Sequence, residues 1–251
     1  MNIELLAENI SAWIGEKMNE AGAAGLLVGV SGGIDSAVTA HLIYQAAKEN
    51  SLGVIIPIKS SKSSLNDAQA LVKQCGIPSI TVDLGKVHES FTGSVFEAMK
   101  SVGILSEQRL RSADSNLRAR LRMNCLYAIA NNLNYMVVGT DNLDEYFTGY
   151  FTKYGDGGVD IQPLHNIYKK TVYELARYFG VPQSIIDKAP SADLWAGQTD
   201  EDEMGVSYDQ IENYIAGKTV EPYAAQKIAR LHNISEHKRH MPPAYVPSDL
   251  Y

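Results

Sequence analysis

The feature that most constrains the fold of this chain is a glycine-rich segment, Gly29–Ser36 (GVSGGIDS), which directly follows the apolar run Leu26–Val28. The pattern predicts a buried strand that turns through Gly32 and Gly33 into a helix beginning near Ser36. At such a turn, backbone N–H groups unobstructed by side chains gather at the positive end of a helix. The segment is therefore typical of an anion cradle that binds phosphate.

The spacing of the segment excludes two common phosphate-binding motifs. No lysine follows the glycines as a Walker A loop requires, and the G-x-G-x-x-G spacing of a dinucleotide fingerprint is absent. A bare pair of glycines is also compatible with nothing more than a tight strand–helix turn. Because Ser31, Asp35 and Ser36 stand in register around the glycines, we favour the phosphate-binding interpretation.

Strand-like and helical stretches alternate from the N-terminal helix to Thr140. The alternation predicts an α/β fold, a doubly wound, Rossmann-like parallel sheet, with a helical C-terminal extension. In such sheets ligands bind beyond the carboxyl ends of the strands, where the glycine-rich segment and the Gly139–Asp141 turn would meet. The expected strands are 26–30, 54–58, 79–84 and 135–139. The expected helices are 36–48, 64–75, 87–100 and 114–131, then one from near 169, with later helices at 208–216 and 222–232. We expect the acidic stretch 198–205 to be a mobile surface loop.

Composition sets broad limits on the class of protein. The chain has 251 residues, of which 45% are hydrophobic and 20% charged, and a net charge of −7, so we expect one globular domain over 1–251 without a nucleic-acid surface. No apolar stretch has the length of a membrane span and the start lacks a signal-peptide pattern, so we expect a cytoplasmic protein without membrane contact. Two cysteines are too few for a disulfide framework or a structural zinc site.

A second motif, Gly139–Gly158 (GTDNLDEYFTGYFTKYGDGG), follows the last predicted strand. Asp141 or Asn142 can cap a short helix that carries Asp144 and Glu145. Carboxylates just beyond a strand end are suitable ligands for a magnesium ion on a triphosphate. Of the two, Glu145 is the better candidate, and we expect Asp144 to be a surface or supporting carboxylate.

The two motifs together resemble a known family. The string SGGIDS is similar to the pyrophosphate loop of the ATP pyrophosphatases, an adenine nucleotide alpha hydrolase-like fold. The order GTD-x-x-x-E, then TGYFTKYGDGG, resembles ammonia-dependent NAD synthetase. Further matching strings are SNLRARLRM at 115–123, PSADLW at 190–195, SYDQI at 207–211 and SEHKR at 235–239. Asn142 and Ser191 stand where some members have His and Thr.

The resemblance implies a set of site residues. Asp35, Glu145 and Lys169 would be catalytic, and Asp35 and Glu145 would also hold Mg²⁺. The positions that match ATP-binding residues are Gly29, Val30, Ser31, Gly32, Gly33, Ile34, Asp35, Ser36, Thr140, Lys169 and Ser191. The positions that match deamido-NAD-binding residues are Arg120, Lys153, Asp160, His237 and Lys238.

The resemblance also implies an activity. The chain would be a ligase that amidates deamido-NAD with ammonia to give NAD, using ATP as co-substrate and Mg²⁺, through an adenylated intermediate that releases AMP and pyrophosphate. The family further implies a homodimer. Because the phosphate loop begins at Gly29, we expect no upstream glutaminase domain, although a separate partner could deliver ammonia.

Other interpretations of the same residues stay open. A transfer-RNA-modifying or GMP-forming ATP pyrophosphatase would share GVSGGIDS but should lack FTKYGDGG, and a non-catalytic ATP sensor would not need both Asp35 and Glu145. Arg120 lies in an arginine-rich helix that could be a solvated face. The segment His237–His240 could be no more than a basic tail.

Overall fold

The computed structural model of this chain describes residues 2–191 and 197–246. Within them, one parallel sheet has the strand order β3-β2-β1-β4. The strands are β1 (Gly25–Gly29), β2 (Ser51–Ile55), β3 (Ser79–Thr81) and β4 (Tyr135–Val137). The helices of the first part are α1 (Ile3–Glu20), α2 (Ile34–Ala47), α3 (Lys62–Cys75), α4 (Gly85–Ser101) and α5 (Leu110–Leu133). Those that follow are α6 (Leu143–Thr148), α7 (Lys169–Tyr178), α8 (Gln183–Ile186), α9 (Asp200–Met204), α10 (Tyr208–Ile215) and α11 (Pro222–Ile234).

Helices cover both faces of the sheet because the strand side chains alternate between them. Leu26 and Val28 of β1 belong to the core that β1 shares with α1, α2 and α7, whereas Leu27 packs on the opposite face with Ala130 of α5. Helix α2 lies between the sheet and other helices, and it is buried along most of its length. The predicted doubly wound α/β fold is confirmed. The turn between β1 and α2 is held in place because the strand before it and the helix after it are both packed in the core.

The C-terminal helices form a second apolar cluster. Met204, Tyr208 and Ile211 pack with Ile228 of α11, and Phe147 of α6 packs against this cluster. The predicted helical C-terminal extension is therefore present, and it packs against α6. In the part of the chain that the structure describes, no helix is long and apolar enough to cross a bilayer. The assignment of a single domain to 1–251 stays a prediction.

Several predicted boundaries were wrong. Strand β2 begins earlier than expected because its ladder with β1 starts at Ser51, and β3 ends at Thr81, two residues before Asp83 accepts a hydrogen bond from the N–H of Gly85 at the start of α4. The acidic stretch 198–205 is not simply a surface loop. It contains helix α9, capped by Thr199, with Asp200 and Met204 buried.

Candidate active site

The glycine-rich loop joins the carboxyl end of β1 to the first turn of α2. Its own serines hold its shape: the N–H of Ser31 donates to Oγ of Ser36 (3.2 Å), Oγ of Ser36 donates to the carbonyl of Gly33 (2.9 Å), and the N–H of Gly33 donates to Oγ of Ser31 (3.2 Å). Gly33 is the N-cap of α2, and it offers no side-chain acceptor to the first turn. The first N–H groups of α2 are therefore available to an anion.

Gly32 fits its position because the loop lies directly against the start of α3. Its φ is +81°, and a Cβ atom there would lie 2.4 Å from the carbonyl oxygen of Ser64. Any larger residue would push the loop away from α3, so glycine is required here for both backbone conformation and space.

Three charged side chains from separate elements meet below this loop. Nζ of Lys169, on the first turn of α7, lies 2.6 Å from Oδ2 of Asp35 on α2 and 3.2 Å from Oε1 of Glu145 on α6. Lys169 is only 3% exposed. The sequence positions of these residues are far apart, and the parallel sheet brings them to the same edge.

Helix α6 positions Glu145 through its own capping. Oδ1 of Asn142 accepts hydrogen bonds from the N–H groups of Asp144 and Glu145, while Oε2 of Glu145 accepts from the N–H of Asn142 (3.2 Å). Nδ2 of Asn142 also donates to Oδ1 of Asp35 (2.9 Å). Asp144 is fully buried, and its Oδ2 accepts from the N–H of Lys169 (2.8 Å). Asp144 is thus the supporting carboxylate of the two alternatives given for it.

Burial in this acidic environment shifts several pKa values. Burial raises the pKa of Glu145 to about 8, opposed by Lys169 and reinforced by Asp35 and Asp200. Burial also raises the pKa of Asp144 to about 7. For Lys169, burial lowers the pKa, but Asp35 and Glu145 outweigh it and hold the pKa above its usual range. The pocket therefore keeps its ammonium charged and favours further positive charge.

A cavity of about 1050 Å³ opens at the carboxyl ends of β1 and β2. Its lining contains all but one of the residues predicted to bind ATP: Gly29, Val30, Ser31, Gly33, Ile34, Asp35, Ser36, Thr140, Lys169 and Ser191. The exception is Gly32, which packs against α3. Glu145 also lines the cavity, as does Lys238, one of the residues predicted to bind deamido-NAD.

Most of the residues predicted to bind deamido-NAD form a contiguous group next to this cavity. The guanidinium of Arg120 donates to the carbonyl of Lys153 (3.3 Å), and Nζ of Lys153 donates to the carbonyls of His237 and His240. Nζ of Lys238 donates to the carbonyls of Gly149 (2.7 Å) and Phe151 (2.6 Å), which line the cavity. These residues are placed together, while their roles remain predictions.

Asp160 lies apart from this group. Its Oδ1 accepts from the hydroxyl of Tyr127 (2.9 Å), and its Oδ2 accepts from the N–H of Val137 (2.7 Å). It is absent from the cavity lining, and its contacts join β4 to α5. Its role in binding deamido-NAD stays a prediction that these contacts do not favour.

Sequence reasoning missed three residues of the site. Lys188 lines the cavity, with Nζ 2.7 Å from Oγ of Ser64. Tyr208 places its hydroxyl 3.2 Å from Oε1 of Glu145 and 3.0 Å from Oδ2 of Asp200. Asp200 belongs to the acidic stretch predicted to be a mobile surface loop, but it is buried at the start of α9. The matching string PSADLW contained the only signal near Lys188, and its residues 192–195 lie outside the described residues.

The fit of a magnesium ion follows from the donor set. Among the residues that the structure describes, no group of three or more His, Cys, Asp or Glu side chains could hold a metal ion. Asp35 and Glu145 nevertheless both reach a single cationic centre, the Lys169 ammonium. Mg²⁺ is usually bound by one or two carboxylates together with substrate phosphates, so this pair beside a phosphate loop fits Mg²⁺ bound to ATP.

Over almost its whole length the chain is similar to known proteins. A family model described as NAD synthase matches residues 6–242. An NH(3)-dependent NAD(+) synthetase from Alkaliphilus metalliredigens is 51% identical over 243 residues, which cover 97% of this chain and 98% of that protein.

Two solved structures share the fold over almost the whole chain. The structure of NMN synthetase from Francisella tularensis superposes with a TM-score of 0.90 at 38% identity, covering 99% of both chains. The NH3-dependent NAD synthetase from Campylobacter jejuni superposes with a TM-score of 0.78 at 27% identity, covering 98% of this chain and 100% of that one.

Proposed function

This chain belongs to the NAD synthase family, and from that premise we propose how its own residues carry out the reaction. The chain is a ligase that amidates deamido-NAD with ammonia, using ATP, in the last step of NAD biosynthesis. We assign the active site from one observation. The ammonium of Lys169 lies between Asp35 and Glu145, next to the glycine-rich loop.

The reaction follows from the chemistry of a carboxylate. Its oxygen is a poor leaving group, so the nicotinate carboxylate of deamido-NAD first attacks the α-phosphorus of ATP. The bond to pyrophosphate breaks, and a mixed anhydride with AMP forms. Ammonia then attacks the carbonyl carbon and loses a proton, and AMP leaves as NAD forms. No covalent bond to the protein is required.

We assign stabilisation of the departing pyrophosphate to the loop N–H groups and to Lys169. These groups are preorganised in a largely buried pocket, where electrostatic stabilisation is strongest. Asp35 and Glu145 would hold Mg²⁺, which when bound supplies positive charge to the phosphate oxygens. Arg120, Lys153, His237 and Lys238 would bind the deamido-NAD, with their positive charge next to its pyrophosphate.

We also propose a homodimer, supported by an apolar stripe on α4. Val87 and Phe91 are each 50% exposed and Val95 is 38% exposed, and their spacing of four residues places them on one side of the helix. Beside this stripe the buried His88 joins α4 to α5, with its Nε2 3.0 Å from Oδ1 of Asp114. Contiguous exposed apolar patches usually mark contact surfaces, and a second copy of this chain offers a matching one. The cytoplasmic location expected from the sequence stays a prediction.

Product analysis tests the activity. Purified protein with deamido-NAD, ATP, Mg²⁺ and ammonium should form NAD, AMP and pyrophosphate. Formation of ADP in place of AMP would contradict adenylation. Strong activity with glutamine alone, in buffer free of ammonia, would contradict the assignment of the nitrogen source.

A second candidate function is amidation of a mononucleotide. It is favoured by the higher TM-score with the Francisella tularensis NMN synthetase, 0.90 against 0.78 for the Campylobacter jejuni NAD synthetase. The same adenylation and amidation of a nicotinate carboxylate would give NMN. The kcat/KM values for nicotinate mononucleotide and deamido-NAD, measured side by side, decide between the two acceptors. A higher value for the mononucleotide would establish the second function.

A further inference from the structure

Asp200 is a buried carboxylate that the adenylation chemistry does not use. It lines the central cavity although the residue is only 4% exposed. Its Oδ2 accepts a hydrogen bond from the hydroxyl of Tyr208 (3.0 Å), but its Oδ1 has no hydrogen-bond partner in the described part of the chain. An unpaired carboxylate oxygen is costly to bury, so Oδ1 of Asp200 is suited to a donor bound in the cavity.

The groups around Asp200 define what that donor can be. The hydroxyl of Tyr150 lies beside Asp200 and donates to Oε2 of Glu203 (2.7 Å), and all three residues line the same cavity. Nε2 of Gln198 donates to the Tyr150 hydroxyl (3.3 Å) and to Oε2 of Glu203 (2.9 Å), so a cation here would share these acceptors with Gln198. The ammonium of Lys169 interacts electrostatically with Asp200, but it is already held by Asp35 and Glu145 and lies 4.9 Å from the ring centroid of Tyr208. The pocket thus already accommodates one ammonium group between carboxylates and an aromatic ring.

These features favour a small monovalent cation over a divalent metal. Mg²⁺ demands near-octahedral oxygen coordination, whereas Asp200 offers one free carboxylate oxygen with tyrosine hydroxyls beside it. An ammonium ion instead needs a few hydrogen-bond acceptors, one of them charged, and it tolerates the faces of aromatic rings. At neutral pH, ammonia in solution is mostly ammonium, so an enzyme that consumes it benefits from a site for the charged form.

We propose that Asp200, together with Tyr150 and Glu203, binds an ammonium ion, which releases one proton to solvent and so supplies the ammonia of the amidation step. This inference rests on the ammonia-dependent function proposed above. It names a binding site on α9 and its neighbours that is separate from the phosphate loop and from the group around Arg120.

Steady-state kinetics in ammonium chloride test the site. Asp200→Asn keeps the shape of the side chain and removes its charge. At fixed pH and ionic strength, with saturating ATP, Mg²⁺ and deamido-NAD, it should raise the KM for ammonium roughly 10- to 100-fold, the scale of one charge-assisted hydrogen bond. The KM values for ATP and deamido-NAD should be unchanged. Asp202→Asn is the matched control, because Asp202 lies on the same helix, is exposed, and accepts a hydrogen bond from the hydroxyl of Thr199.

A half-reaction separates ammonium binding from other roles of Asp200. Exchange of labelled pyrophosphate into ATP, dependent on deamido-NAD and run without ammonium, should be retained in Asp200→Asn. Loss of exchange would place Asp200 on the metal or on ATP and overturn the proposal, as would an unchanged KM for ammonium. Absence of exchange and of NAD formation in the unaltered protein would contradict the proposed function itself, which is a different failure.

Discussion

The ammonium of Lys169 sits between Asp35 and Glu145, and each carboxylate is held by further hydrogen bonds. Asn142 contacts both acids, and Tyr208 contacts Glu145. The two acids therefore approach any shared cation with their geometry already fixed. Preorganised charge of this kind is usually the largest single contribution to catalysis.

Replacing either acid by its amide tests whether its charge contributes to catalysis. Asp35→Asn and Glu145→Gln should each lower kcat roughly 100- to 1000-fold, because each removes one preorganised charge without changing side-chain size. Turnover is measured at saturating Mg²⁺ and ATP, with the exposed Asp209→Asn as control. Near-normal turnover in both variants would remove these residues from the site.

Asp144 gives a prediction about pH. Burial raises its pKa in the folded protein from 3.8 to about 7. Between about pH 4 and pH 7 the carboxyl group is therefore protonated in the folded state and ionised in the unfolded state. The free energy of unfolding should therefore fall as the pH rises from 5 to 8. Asp144→Asn should remove roughly 2 kcal/mol of that fall. Chemical denaturation at the two pH values measures it, and an equal pH dependence in variant and unaltered protein would contradict the assignment.

At the scale of elements, Ser235 and Arg239 join the segment after α11 to α6, and Arg239 makes most of these contacts. The guanidinium of Arg239 donates to the carbonyls of Tyr146 (3.1 Å), Phe147 (3.3 Å) and His232. The basic cluster His237–His240 is thus more than an exposed tail. Its contacts link the residues predicted to bind deamido-NAD to the helix that carries Glu145.

Removing the hydrogen bonds of Arg239 should make residues 235–246 more mobile. Arg239→Ala should speed cleavage of residues 235–246 by proteinase K and raise the KM for deamido-NAD roughly 10-fold, with a smaller change for ATP, because several charge-assisted hydrogen bonds are lost. Arg230→Ala, an exposed arginine on α11, is the control. Identical proteolysis and KM values in the two variants would show that Arg239 does not hold the segment.

Much of this architecture was predictable because its signals are local. The glycine-rich loop between β1 and α2 and the main helices follow from periodicity and turn residues. The ends of strands were less predictable, since the register with a neighbouring strand sets them, as at Ser51. Within the site, resemblance to a family supplied Lys169, but its place between two acids is a tertiary contact.

Asp200 shows why the rest of the site could not be predicted. It lies in the acidic run 198–205, whose composition indicates a solvated surface. The hydroxyl of Tyr208, eight residues further on, nevertheless donates a hydrogen bond to Oδ2 of the buried Asp200. Local polarity does not contain that information, because burial is decided by the packing of α9 and α10 against α6.

At the scale of the whole molecule, the exposed stripe of α4 predicts how two copies associate. Phe91 is central in the stripe, and truncating a well-packed residue at the centre of an interface can cost about 2 kcal/mol or more of binding energy. Phe91→Arg would place a charge opposite its own copy across a two-fold axis, so repulsion adds to the lost apolar contact. We expect the dimer dissociation constant to rise roughly 100-fold or more, which light scattering after size-exclusion chromatography detects as a shift to monomer.

Tyr223→Arg is the matched control, since Tyr223 is 71% exposed on α11, away from α4. A circular dichroism spectrum unchanged from the unaltered protein establishes that Phe91→Arg is folded. A folded Phe91→Arg variant that stays dimeric would show that α4 does not form the interface, and an unaltered protein that is monomeric at all concentrations would contradict the homodimer itself.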